Sequence, residues 1–126
     1  MHSNVFSSVF NIRTTALLLI GASLIATSSA MTLREFRTLE KTGRQGTDYA
    51  NYYLVGVMEG VLESHARNAR NGAIPRICRT GRRPDPRIAR SLFDTELKRN
   101  EGLYEADMSV QLVMINALTA AYTCSG

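Results

Sequence analysis

Two cysteines, Cys78 and Cys124, are the only ones in this chain, and they bracket a charged helical pattern followed by a charge-free one. No Asp, Glu, Lys or Arg occurs from Met108 to Gly126. An even pair of cysteines in an exported chain reads first as a disulfide, because the compartment is oxidising. Closing a ring of 47 residues corresponds to about 4 kcal/mol in the chain-entropy account. That is a large share of the ~5 to 15 kcal/mol by which a small domain is stable. The other uses of a cysteine pair lack partners. A zinc site needs histidines at ligand spacing, and a catalytic thiol needs a base.

Export itself is read from residues 1–30, which hold one basic residue, Arg13, and no acid. An apolar run from Ala16 to Ala26 follows, and Ser28-Ser29-Ala30 closes the segment with small residues. This is the layout of a cleavable signal peptide. The run is too short for the roughly 20 residues of a spanning helix, which argues against a retained membrane anchor. No cysteine lies near Ala30 to carry a lipid. Residues 31–126 are then the mature domain, with 14 Lys and Arg against 11 Asp and Glu, net +3. A chain of this size buries about two thirds of its unfolded surface, so its core is modest and a covalent tie helps.

Four helices are expected in that domain. Thr32 to Glu35 spells a capping box, with Leu33, Phe36 and Leu39 at helical spacing, so a first helix runs from Leu33 to about Thr42. Gly43 to Gly46 reads as a turn, and Thr47 or Asp48 as the cap of a second helix over Tyr49 to Asn71, stopped by Gly72. Its wet side carries Glu63 and Arg67 at ion-pair spacing; its apolar side carries Tyr49, Tyr53, Leu54, Val57, Met58, Val61 and Leu62. Gly56 and Gly60 join Tyr53 on that side, where each glycine costs up to about 1 kcal/mol of helix propensity. Close approach of another backbone would explain them.

From Gly72 to Pro84 periodicity gives way to a cationic loop, with Arg76, Arg79, Arg82 and Arg83 around Cys78. Asp85-Pro86 then caps and opens a third helix to about Asn100, with Ile88, Ala89, Leu92, Phe93 and Leu97 inward. On its outer side Arg90, Asp94 and Lys98 follow at ion-pair spacing. The fourth helix starts after Glu105 or Asp107 and is apolar on nearly all sides apart from a stripe of Ser109, Asn116, Thr119 and Thr123. Too short to span a membrane, it reads as the central helix of the bundle.

Constellations for catalysis are lacking. The mature chain has one histidine, His65, beside a helix end, which reads as a solvated surface residue. Glu59 and Glu63 lie one turn apart and read as a wet face rather than paired catalytic carboxylates or metal ligands. Neither a phosphate-binding loop nor any cofactor motif is present, so the chain is expected not to be an enzyme. The arginine cluster has two readings of equal standing: a contact for an acidic partner, or a solvated loop. Nucleic acid would suit the charge, but export removes it from reach.

The combination of a signal peptide, Tyr53-x-x-Gly56-x-x-x-Gly60 on a helix, Ile77-Cys78 in a Pro-containing loop, and Ala117-Leu118 with Ala121-Tyr122-x-Cys124 at the end resembles the Rap1a/Tai immunity protein family. The resemblance implies a periplasmic, all-helical, disulfide-bonded and often dimeric protein. Such a protein blocks a peptidoglycan-cleaving amidase delivered by a type VI secretion system. It also implies that Cys78 and Cys124 are the bonded pair. The expectation is therefore an all-α, four-helix bundle-like domain with one disulfide and no cofactor, acting as an immunity protein on an effector enzyme. Two rivals are a small periplasmic acid-stress chaperone of the HdeA-like kind and a structural part of an envelope assembly.

Overall fold

The computed structural model describes residues 29–81 and 83–125; the expected signal segment lies outside them but for Ser29 and Ala30. The described residues form four helices and one disulfide: α1 (Leu33–Glu40), α2 (Arg44–Arg70), α3 (Pro86–Arg99) and α4 (Val110–Ala121). Helices α2, α3 and α4 pack on one another, and α1 packs on α2. No helix among these residues is long and apolar enough to cross a membrane.

Local chemistry sets the helix starts. Thr32 and Glu35 form the reciprocal capping box, and the Asp85 carboxylate accepts from the amides of Arg87 and Ile88 with Pro86 in the first turn. The remaining free amides at the head of α1 are satisfied by tertiary contact: Leu33 N–H donates to Met108 O and Arg34 N–H to Ala106 O. That pairing, with an isolated bridge between Thr32 and Ser109, keeps residues 105–109 out of helix. Helix α4 therefore starts at Val110, three residues after Asp107, and is capped by the Ser109 hydroxyl.

The α1–α2 corner differs from expectation. The turn is confined to Lys41, Thr42 and Gly43, and α2 begins at Arg44, five residues before the position that the Thr47 and Asp48 caps suggest. Gly43 (φ 101°) supplies the left-handed conformation that the turn requires. Gly46 is helical and buried. A Cβ there would lie 2.1 Å from both the Leu39 carbonyl oxygen and Thr42 Oγ1. It is the glycine that allows α1 and α2 to touch. Gly56 and Gly60, expected to do so, are exposed and have nothing within 4 Å of a Cβ position. Of that trio only Tyr53 packs, half-buried, with its ring centroid 6.5 Å from that of Phe36.

Phe36, Leu54, Met58, Ala89, Phe93, Val113, Met114 and Leu118 build the core, with the Phe36 and Phe93 centroids 5.1 Å apart. Arg90 covers Phe36 from outside and pairs with Glu40 of α1 and Asp94 of α3, so the Asp94–Lys98 pairing is not formed. Glu63 pairs with Arg67, as its spacing predicts, and with Arg70. Tyr49 is exposed instead of inward. Helix α4 is not enclosed: Val110, Val113, Met114, Ala117 and Leu118 are buried, whereas Leu112 and Ile115 keep 40% and 38% of their surface. A helix lying on two neighbours covers about half its circumference, whatever its composition.

One buried carboxylate sits in this core. Glu96 of α3 is 3% exposed. It accepts from Tyr104 Oη at 2.7 Å, from Asn100 Nδ2 at 2.7 Å and from Arg99. Asn116 Nδ2 of α4 donates to Tyr104 Oη at 2.9 Å, which ties α3, the following loop and α4 together. Burial pushes the Glu96 carboxyl up, but the hydrogen bonds from Tyr104, Arg99 and Asn100 outweigh it and hold the group below its ordinary value.

Gly46→Ala is expected to destabilise by roughly 1–3 kcal/mol through overpacking against α1. Gly56→Ala and Gly60→Ala should each be neutral or stabilise by up to about 1 kcal/mol, read as shifts of the denaturant midpoint. The Glu96 network makes a prediction about acid. A carboxyl whose pKa is lower folded than unfolded stabilises above its unfolded value of about 4.3, and the gain disappears as pH falls through the folded value. Tyr104→Phe should cost about 1–2 kcal/mol at neutral pH and flatten the loss of stability below about pH 4, measured by urea titrations across pH.

Candidate functional site

The described residues from Asn71 to Asp85 form neither helix nor strand, yet the segment is fixed at several points. Gly72 ends α2, and Asp85 caps α3. Between them Cys78 is bonded to Cys124, with the Cα atoms 4.9 Å apart. Beside the bond, Cys78 N–H donates to Tyr122 O at 2.7 Å, and Ile77 forms an isolated bridge with Thr123. The charge-free helix is thus pinned at its end to the cationic loop, as the positions of the two cysteines suggest.

His65 holds the loop from the other side. Its Nε2 accepts from the backbone N–H groups of Arg76, at 2.9 Å, and of Ile77, at 3.0 Å. The residue is half-buried, so the expectation of a solvated surface histidine is corrected: it is a structural acceptor for a loop 11 residues further on. Its position near the end of an amphipathic helix gave no signal of this, because the donors come from a segment without periodicity.

The arginines fall into different environments. Arg76 and Arg83 are exposed. Arg79 is half-buried, with its guanidinium carbon 5.7 Å from the centroid of the Tyr122 ring, so it also packs the loop onto the end of α4. Arg82 lies outside the described residues. Between the loop and α2 runs an open groove of about 620 Å³. Helix α2 contributes Glu59, Glu63 and His65 to it, and the loop contributes Ile77, Arg79 and Arg83. Among the described residues no group of His, Cys, Asp and Glu side chains is arranged to hold a metal ion.

One residue escapes a reading based on charge. Ile74, between Ala73 and Pro75, is 86% exposed, more than any other large apolar side chain described. It stands beside Arg76 on the segment that His65 holds. A large aliphatic residue in a Gly- and Pro-bounded stretch, with no helical partner, was the signal for it. Tyr53, Gly56 and Gly60 form a separate, smaller depression with Val57 and Gln111, and belong to a different surface.

Compared with protein-family models, curated proteins and solved structures, the chain matches none.

The disulfide's contribution can be measured. Cys78→Ser is expected to cost about 4 kcal/mol of stability under oxidising conditions. The Cys78→Ser/Cys124→Ser double variant should lose no more than either single one, as read from chemical denaturation.

Proposed function

We propose that this protein is a binding protein without catalysis of its own: a periplasmic immunity protein that occupies the cleft of a peptidoglycan-cleaving amidase of a type VI secretion system. The observation that carries the binding role is the loop between α2 and α3. It is tied down at His65, Cys78 and Asp85 while it presents Ile74, 86% exposed, next to the exposed Arg76. A side chain of that size held in water on a fixed backbone has the character of an interface anchor, and arginine is the charged residue most common at such anchors. Fixing the loop beforehand removes most of the ordering cost that a flexible loop would incur on binding. The partner's surface is then expected to offer an apolar pocket beside carboxylates, which guanidinium groups engage bidentately. The choice of an amidase rests on the Rap1a/Tai resemblance, and residues 1–30 as an export signal support the compartment.

The test uses the mature protein with its disulfide intact and the amidase encoded beside it. Binding by calorimetry and protection of cells from the periplasmically targeted enzyme are the expected results; absence of both would sink the immunity reading. Within the complex, Ile74→Asp and Arg76→Glu should each weaken inhibition by about tenfold or more, the range of interface anchors, with the unfolding midpoint unmoved because both side chains are exposed. Undiminished inhibition by both variants would move the interface off this loop.

A further inference from the structure

We propose that His65 is a proton-operated latch for the tip of the arginine loop, residues 73–76, which it holds when neutral and releases when protonated, while Ile77 stays bridged to Thr123. The geometry fixes the protonation state required. Nε2 accepts from two backbone N–H groups, those of Arg76 and Ile77. Only an unprotonated ring nitrogen accepts, so the bound tautomer carries its proton on Nδ1. In the imidazolium both nitrogens are donors. An Nε2–H would then point at two other N–H groups, and both hydrogen bonds are lost together. Neither amide has a second acceptor among the described residues.

The charges around the ring come from both sides of the groove. On α2 these are Glu59 and Glu63, the latter already paired with Arg67 and Arg70; on the loop they are Arg79 and Arg83, with Arg76 itself a donor residue. The end of α4 that meets the loop through Tyr122 and Thr123 carries no charge. Acids and guanidinium groups thus line the groove together with the imidazole, and it is the change of Nε2 from acceptor to donor that opens the latch.

What opens is limited in extent. Downstream, Cys78 stays bonded to Cys124 and hydrogen-bonded to Tyr122 O. Upstream, Ala73 N–H donates to Asn68 O at the end of α2. Release therefore frees the stretch that displays Ile74 and Arg76 without unfolding the helices. The bearing of this on binding rests on the function proposed above: a released tip must be re-ordered by the partner, which weakens binding in acid.

Amide hydrogen exchange by NMR tests the latch without a partner, so its failure is distinct from failure of the immunity reading. Protection factors, corrected for the intrinsic pH dependence of exchange, are compared between a pH at which the His65 ¹⁵N shifts show a neutral ring and a lower one at which they show imidazolium. The amides of Arg76 and Ile77 are expected to lose about tenfold or more of their protection in acid, while that of Cys78 serves as an unchanged internal reference. The ¹⁵N shifts of His65 should report an unprotonated Nε2 at the higher pH. His65→Gln, which keeps an acceptor that does not titrate, should abolish the pH dependence. His65→Phe, which removes the acceptor, should leave both amides weakly protected at either pH. Equal protection at both pH values while the imidazole titrates, or full protection in His65→Phe, would overturn the proposal.

Discussion

A single covalent bond closes one end of this helix bundle. At the opposite end, α1, α2 and the start of α4 hold each other through Gly46, the Thr32–Ser109 bridge and the amides of Leu33 and Arg34. Where α2 gives way to the arginine loop, Ile77 is the one hydrophobic residue among those described that packs against the core cluster, and it does so half-buried. Constraint of the unfolded chain by Cys78–Cys124 does there what apolar burial does elsewhere. It also fixes a register: with Cys78 bonded, its N–H meets Tyr122 O, and Ile77 falls opposite Thr123.

Features encoded by neighbours in sequence were legible. The capping box at Thr32 and Glu35, the Asp85-Pro86 start, and the Glu63–Arg67 pair each depend on residues two to four positions apart, and each forms. The helix count follows from the same kind of reasoning, whereas the disulfide, between residues 46 apart, was legible because the chain has only two cysteines. The glycines of α2 show where such reasoning fails. Gly46 resembled a helix breaker, and Gly56 and Gly60 resembled packing residues, yet the roles are reversed. Propensity gives the cost of a glycine; which glycine meets a second backbone depends on how sharply Gly43 turns the chain. The composition of α4 misled in another way. Absence of charge is compatible with a central helix, but two neighbours cover only one side of it, and Leu112 and Ile115 stay partly in water.

The candidate site was legible as a charged loop and not as a shaped one. Arginines are counted in a sequence, but their environments are not: Arg79 lies against Tyr122, whereas Arg76 and Arg83 point outward. Ile74 and His65 matter through contacts made, or withheld, by a segment that has no periodicity to reveal them. Glu96 was invisible for a related reason. A glutamate on an amphipathic helix reads as wet until a tyrosine eight residues on and an arginine three residues on are seen to converge on it.

Glu96 and His65 represent two ways of using a polar group at a seam between elements. Glu96 is surrounded by donors, and its charged form is the one that they stabilise, so the junction of α3 and α4 is strongest wherever the carboxylate is ionised. His65 has the opposite dependence, because its neutral form is the acceptor and its charged form cannot be. Protonation thus weakens each seam through a different atom, and the disulfide keeps the two events separate: Cys78 ends the freed stretch before the opening can reach α3. A loop anchored by hydrogen bonds alone on both sides would offer no such boundary, and loosening its tip would extend into the helix that follows.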